Sequence, residues 1–238
     1  MFFGPKGHLK LGVDVHSHLI PEVDDGVKTL EQSIEIILAF KALGYTKLVT
    51  TPHISEAYYP NSIDTLRSGF VVVKEELDKQ GIKMEIELGA EYLVDPSFLQ
   101  LLKDDGDVLS WNGFILIETP FTNFPLIFEE VIFELMSRGL TPVLAHPERY
   151  EYWFGNIRRV KEMRDRGVKM QVTASSLVGY YGSAQKKMAK VLLKESLVDF
   201  IGSDMHRYDQ LDYLEKGLSS RYLRNLDSTR LLNHSLLD

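Results

Sequence analysis

A single-domain α/β barrel is the fold this sequence predicts, on three observations. Short β-like runs alternate with longer helical patterns about seven times, which calls for parallel strands joined by right-handed crossovers. Runs such as LVTT, FILI, PVLA and DFIG read as apolar on both faces, as expected when helices cover the sheet. The 238 residues carry no internal repeat, Ser/Gly-rich linker or charge block that would mark a second domain, and that length is ordinary for one barrel.

In order, the elements are as follows. A strand at Leu11–Val15 leads to a helix over Leu30–Leu43, with apolar residues at Ile34, Ile37, Leu38 and Leu43 at helical spacing. Strand Lys47–Thr51 precedes helix Ile63–Lys79, which Gly81 ends. Strand Met84–Ala90 precedes a short helix opened by Asp95 as N-cap and Pro96 in the first turn. Strand Phe114–Ile117 and helix Pro125–Arg138 follow, then strand Pro142–Ala145 and helix Ile157–Arg166. Strand Lys169–Thr173, helix Ala184–Glu195 and strand Val198–Ser203 complete the alternation. The core spans about 11–217, and Leu218–Asp238 reads as a final amphipathic segment with a frayed end.

Composition narrows the function. A formal charge of −7 argues against broad nucleic-acid binding, which needs basic surface. An anionic substrate stays open, because bound divalent ions can reverse local charge. No apolar run approaches the roughly 18 residues of a membrane helix, and MFFGPKGHLKL is too short and too broken for a secretory signal, so a cytoplasmic protein is the expectation. With no cysteine, thiolate ligands and every cysteine-nucleophile mechanism are excluded.

A barrel of this kind carries its site where strands end, and ligand-type residues recur there. The first strand ends in Asp14-Val-His16-Ser-His18, with Asp25 soon after; the next ends in Thr51-Pro52-His53. Glu91, Glu118 and His146 close the third, fourth and fifth, and Gly202-Ser203-Asp204-Met205-His206 the last. Five of the seven histidines belong to this set, and only His8 and His234 lie outside it. The nine candidates (His16, His18, Asp25, His53, Glu91, Glu118, His146, Asp204, His206) exceed one coordination shell and imply two or three ions of the Zn, Mn or Fe type. Such clusters suit phosphoester hydrolysis. Any one histidine alone would more often be a packing residue; Asp14 fits an orienting acceptor better than a ligand, and Glu118 could cap a helix. Arg149 could grip a phosphate bidentately or form a surface ion pair with Glu148 or Glu151. Arg207 could be a second clamp or a solvated chain. Tyr58, Tyr59, Phe121, Phe124, Tyr150, Tyr152, Trp153, Phe154, Tyr180 and Tyr181 crowd the same loops, where they could hold an aryl ring or pack the loops down. Asp104-Asp105-Gly106-Asp107 lacks EF-hand spacing and reads as an exposed turn.

The motifs DVHSH at 14–18, VDDG at 23–26, TPH at 51–53, GAE at 89–91, IET at 117–119, AHPERY at 145–150 and GSDMH at 202–206 resemble the polymerase-and-histidinol-phosphatase (PHP) superfamily. Within it they resemble the bacterial protein-tyrosine phosphatases of the CpsB/CapC/YwqE type, which accompany capsule and exopolysaccharide tyrosine kinases. The resemblance spans about residues 11–207. It implies a distorted (β/α)7 TIM-like barrel and a trinuclear, often manganese-dependent centre that hydrolyses phosphotyrosine with metal-activated water. It implies one ion on His16, His18, Glu91 and Asp204, a second on Glu91, Glu118 and His146, and a third on Asp25, His53 and His206. Arg149 matches the family's phosphate-binding arginine. The family's second arginine falls a few residues beyond the last histidine, where this chain reads RYDQLDYL, which leaves Arg207 as its substitute. The implied partner is the phosphotyrosine tail of a bacterial kinase. The alternatives are another phosphoesterase of the superfamily, acting on histidinol phosphate or small phosphomonoesters, and a non-catalytic metal-binding module.

Overall fold

Helix starts follow local chemistry. The computed structural model describes residues 9–224, 226 and 230–237; His8, with the rest of the N-terminal octet, and positions 225, 227–229 and 238 of the C-terminal segment lie outside them. Helices α1 (Leu30–Ala42), α2 (Ile63–Lys79) and α3 (Pro96–Lys103) open on Thr29, Ser62 and Asp95. The cap side chains accept hydrogen bonds from the amides of Gln32, Thr65 and Phe98, satisfying donors a helix leaves free at its first turn. Pro96 sits in the first turn of α3, where its missing N–H costs nothing. Helices α4 (Phe128–Ser137), α5 (Arg158–Asp165), α6 (Ser183–Lys194), α7 (Leu211–Leu218) and α8 (Arg221–Arg224) complete the set.

Every strand pair is parallel. Strands β1 (Val13–Asp14), β2 (Lys47–Thr50) and β4 (Glu85–Leu88) form one sheet in the order β1-β2-β4. Strands β3 (His53–Ile54), β5 (Glu91–Leu93), β6 (Phe114–Glu118), β7 (Thr141–Ala145), β8 (Lys169–Thr173) and β9 (Phe200–Gly202) form the other, in that order. Two expected strands are thus each broken and resumed in the second sheet: β2 continues as β3 across Pro52, which has no N–H to donate, and β4 continues as β5 across Gly89. At Gly89 a Cβ would lie 3.0 Å from the Trp111 ring and 3.2 Å from Thr51 Cγ2, so a side chain there would crowd the bend and glycine relieves it. The register after both breaks sets His53 beside Glu91 and Leu93 beside Glu118.

One strand face builds a small apolar cluster of Val13, Val15, Val49, Trp111, Leu116, Val143, Ala145, Phe200 and Leu236. The other face packs under the helices through residues such as Leu48, Ile115, Ile117, Leu144, Met170 and Val172, as the two-faced apolar strands require. Beyond β1 the chain links both neighbours: the amide of His18 donates to Met205 O (2.8 Å), that of Asp204 to His16 O (2.8 Å), and that of Thr51 to Ser17 O (2.7 Å). This is why β1 is shorter than expected: after Asp14 its backbone partners change.

The expected frayed end is corrected for the residues described. Leu231, Asn233 and Leu236 are buried, and Asn233 ties β1 to β9: its Nδ2 donates to Val13 O and Ile201 O, and its Oδ1 accepts from the amide of Ile201. The segment seals the strand ends opposite the histidines. No helix among the described residues is long and apolar enough to cross a membrane. The acidic run at 104–107 lies in the turn after α3, with its three aspartates exposed.

Candidate metal centre

Glu91 is the hub. Fully buried at the start of β5, it has Oε2 3.0 Å from His16 Nε2, 3.5 Å from His18 Nε2 and 3.3 Å from His53 Nδ1. Its other oxygen, Oε1, lies 2.9 Å from His146 Nε2. Glu118, closing β6, reaches His53 Nδ1 at 3.2 Å and His146 Nε2 at 3.8 Å. Asp204 Oδ1 lies 3.4 Å from His16 Nε2, 3.8 Å from His18 Nε2 and 3.5 Å from His206 Nδ1. Asp25, the most exposed of the set, faces His53 at 3.5 Å and His206 at 3.4 Å. All nine side chains read from the sequence therefore meet at one end of the strands.

Backbone geometry aims two of them. His146 (φ 34°) and Asp204 (φ 54°) both occupy the left-handed region, uncommon for residues with a Cβ and a recurrent feature of functional turns. A Cβ on Gly202 would lie 2.6 Å from Gln171 Nε2 and 3.0 Å from the Cβ of His16, so the absent side chain is what lets His16 and its partner reach the centre.

The donor set fits divalent cations. Ligand-type atoms lie within 4.8 Å of one another in three overlapping groups: His16, His18 and Glu91; His53, Glu91 and Glu118; and His18, Asp25, His53 and His206. The first and third follow the division the resemblance implies, except that His18 enters both and Asp204 falls outside the first; its Oδ1 lies 3.4 Å from His16 Nε2. The second draws in His53 where the resemblance places His146, whose Nε2 is nonetheless 2.9 Å from Glu91. Each key ring is oriented from behind: His16 Nδ1 faces Gln171 Oε1 (2.7 Å), His18 Nδ1 faces Asp24 Oδ2 (2.8 Å), and His206 Nδ1 faces the carbonyl of Asp204 (3.0 Å). Held as donors there, the rings aim Nε2 inward, the tautomer a metal ligand requires. The inward nitrogens of His16 and His18 stand 3.2 Å apart, close enough for one cation to take both.

The electrostatics agree. Burial pulls the His16 imidazole down, but Glu91 and Asp204 outweigh it and raise it to about 9. Burial works against Asp24 too, yet His18 and the amides of Gly26 and His53 hold it at about 2. Glu91 and Asp204 lie far below the carboxylate range despite their burial, because histidines surround them. His146 is the exception, lowered by burial and by Arg149. Protons on the histidines thus offset the buried carboxylates, and divalent ions would displace those protons.

Beyond the ligands, Arg149 Nη1 donates to Asp204 Oδ2 at 2.7 Å, so its ion partner is neither Glu148 nor Glu151. Glu148 is fully buried and accepts from the Thr173 amide (2.9 Å) and the Ser176 hydroxyl (2.7 Å). Arg149, His146, Asp25, Glu118 and His206 line a cleft of about 410 Å³ walled by Tyr58, Tyr59, Leu93 and Phe121. Arg207 does not line it: its side chain is 63 % exposed and sits against Asp209 and the Tyr180 hydroxyl. Most of the other aromatics pack the loops, as Phe124, Tyr150, Tyr152 and Trp153 do against one another. Asp14 accepts from the Ser203 amide (2.8 Å) and hydroxyl (2.7 Å), orienting the β9 turn rather than a histidine. Sequence reasoning missed Asp24 and Gln171 as orienting residues, and read Tyr181 only as one of the loop aromatics. Asp24 was within reach as the first residue of the DDG motif; Gln171, a polar residue inside a buried strand, was a weaker signal.

Residues 12–217 match the profile of a family described as capsular polysaccharide synthesis, CpsB/CapC. The chain belongs to the CpsB/CapC family. Among its curated members, the chain is 32 % identical to the tyrosine-protein phosphatase CpsB of Streptococcus agalactiae over 203 residues, covering 83 % of this chain and 84 % of that one. It is 31 % identical to the tyrosine-protein phosphatase YwqE of Bacillus subtilis over 196 residues, covering 82 % and 77 %. The putative tyrosine-protein phosphatase CapC of Staphylococcus aureus is 28 % identical, covering 87 % of this chain and 81 % of its own. A solved structure from a study of YwqE from Bacillus subtilis and CpsB from Streptococcus pneumoniae, described as metal-dependent tyrosine phosphatases, superposes with a TM-score of 0.79 at 28 % identity, covering 94 % of each chain. An amidohydrolase from Mycoplasma synoviae (TM-score 0.53, 14 % identity, 95 % of this chain and 84 % of that one) shares the fold.

Proposed function

We propose that this chain is a metal-dependent protein-tyrosine phosphatase whose substrate is an autophosphorylated bacterial tyrosine kinase in capsule or exopolysaccharide regulation. The observation that carries it is the convergence on Glu91 of histidines and carboxylates from separate strand ends, with Arg149 at the edge of an aromatic-walled cleft. Named relatives with tyrosine-phosphatase activity support the substrate class.

Our reading of the fold is a distorted (β/α)7 barrel of PHP type spanning the chain as one domain. The backbone bonds between residues 16–18 and 204–205 support it. We assign three divalent ions, manganese foremost, to the nine side chains, with Glu91 shared. Such ions supply Lewis-acid contacts to phosphoryl oxygens and lower the pKa of bound water. The chain's own residues do the rest. Arg149 presents a guanidinium to the phosphoryl group and offsets charge that builds in the transition state. Tyr58, Tyr59 and Phe121 wall the space beside it, where an aryl leaving group fits. Asp24 and Gln171 keep the His18 and His16 rings turned inward. With no cysteine in the chain, no thiol phosphoenzyme forms. Arg207, outside the cleft as the side chains stand, would need to swing in to bind phosphate. The absence of a membrane-crossing helix among the described residues accords with action in the cytoplasm.

The test is turnover of a phosphotyrosine peptide, histidinol phosphate and p-nitrophenyl phosphate before and after chelation, with Mn²⁺ restored. Peptide hydrolysis that disappears with the metal and returns with it is expected. Activity that survives complete metal removal, or turnover of histidinol phosphate alone, overturns the reading; no turnover at all marks a binding module.

A further inference from the structure

The loop between β8 and α6 contributes a side chain that touches two parts of the centre at once. Tyr181 donates its hydroxyl to Asp204 Oδ2 at 2.8 Å, and its ring lies beneath the Arg149 guanidinium, 4.2 Å from ring centroid to Cζ. Arg149 donates to the same Oδ2 at 2.7 Å and also lies over the Phe121 ring at 4.5 Å. The two oxygens of Asp204 therefore have separate duties. Oδ2 is taken by Tyr181 and Arg149, while Oδ1 faces His16, His18 and His206 at 3.4, 3.8 and 3.5 Å.

This loop is built to hold that side chain in place. Gly179 (φ 93°) and Gly182 (φ 119°) bracket Tyr180 and Tyr181 in conformations that side-chain-bearing residues rarely adopt. The Gly182 amide donates back to Gly179 O at 3.1 Å, closing a tight turn. Tyr180 packs edge-on against Tyr181 at 4.8 Å and against Tyr213 of α7 at 4.8 Å, bracing the turn from outside. An arginine at the mouth of a cleft has many rotamers, and ordering it costs entropy. A flat aromatic platform with a shared carboxylate acceptor reduces those rotamers before substrate arrives.

We propose that Tyr181 is a positioning residue that acts through Arg149 and Asp204. Its ring holds the guanidinium at the height of the phosphoryl group, and its hydroxyl keeps Oδ2 occupied so that Oδ1 is presented to the metals. Phe121 is the second, more exposed wall of the same clamp (39 % exposed). The inference rests on the phosphatase reading for the role of Arg149, and the contacts of Tyr181 stand independently of it.

The test is a double-mutant cycle on the metal-loaded protein, with metal content by mass spectrometry and inorganic-phosphate affinity by calorimetry beside peptide kinetics. Tyr181→Leu removes ring and hydroxyl, Tyr181→Phe the hydroxyl alone, and Arg149→Ala the guanidinium. Loss of the platform is expected to weaken phosphate binding and raise KM about tenfold in Tyr181→Leu, the size of a partly buried cation–π contact. Tyr181→Phe should restore phosphate affinity and KM to within about threefold of the parent, since the ring alone supports the guanidinium. In the Arg149→Ala background, Tyr181→Leu should change phosphate affinity by no more than Tyr181→Phe does in the parent, because only the hydroxyl's hold on Asp204 remains. Equal tenfold losses with and without Arg149 overturn the proposal, as does a Tyr181→Leu protein that keeps the parent's phosphate affinity. A parent that binds phosphate with the expected coupling yet hydrolyses no phosphotyrosine peptide refutes the phosphatase reading and leaves the positioning role standing.

Discussion

The two ends of the same strands solve opposite problems. Toward one end, Val13, Val49, Leu116, Val143 and Phe200 close on one another and on Leu236 as a dry cluster. Within a few residues, at the other end, buried carboxylates and imidazoles stand within 2.9 to 3.8 Å of one another. The apolar end gains free energy from every contact it makes. The polar end spends part of that gain on burying charge, tolerable only because each group has a partner. Where the direct partners are only neutral amides and hydroxyls, the strain shows: burial lifts Asp14 and Glu148 to about 7. The lesson is that the centre is held by the fold rather than the reverse, so the two ends should respond differently to substitution.

The sharpest separation is expected from His16→Ala. It should abolish at least one metal site and lower kcat/KM by several kcal/mol of lost electrophilic stabilisation, on the order of a thousandfold, while cooperative unfolding persists; metal analysis with urea titration reads both. Phe200→Ala should do the converse, costing about 3–5 kcal/mol of stability for a fully buried aromatic and leaving metal per folded molecule unchanged. If it instead empties the centre while the protein stays folded, the two ends are not independent.

Glu148 tests the strain directly. Its folded pKa, about 7, lies above its ordinary 4.5 because burial disfavours the charge more than Ser176, Thr173 and Arg149 restore it. The folded state therefore holds the proton more tightly, and the associated stability, full below about pH 4.5, is lost as pH rises through 7. Glu148→Gln stays neutral throughout. The stability difference between variant and parent, measured by denaturant titration in chelator, should shift toward the variant by about 3 kcal/mol between pH 4.5 and 8. A difference flat with pH would show that the carboxylate is already ionised at the lower value. The smallest expected effect is Asp24→Asn, which leaves all nine ligand candidates in place and should weaken metal affinity about ten- to a hundredfold through the His18 ring, read by competition with a chelating dye.

Much of this was legible because the strand–helix alternation carries a position code. Ligand-type residues recurring just past each strand end pointed to one rim, and the structure brings all nine together there. The code does not report side-chain direction, which is why Arg207 and Arg149 looked alike in sequence. One turns outward to Asp209; the other turns inward to Asp204. Nor does it report which carboxylate stands behind which ring. Asp14, adjacent to the first histidine motif, anchors Ser203, and Asp24 takes the orienting role. The C-terminal segment was misjudged for a related reason: its pattern is too short to show periodicity, and its anchor is one asparagine bonded to two strands far away in the chain.

The sequence by itself determined the alternation of strands and helices, the absence of thiol chemistry, and the inventory of histidines and carboxylates at strand ends, because composition and local periodicity are properties of neighbouring residues. Only the tertiary structure decided which oxygen faces which nitrogen, where Pro52 and Gly89 pass strands from one sheet to the other, and that Tyr181 and Arg149 share one oxygen of Asp204. Those are set by the register of parallel strands and by left-handed turns at His146 and Asp204, and both depend on contacts between residues remote in the chain.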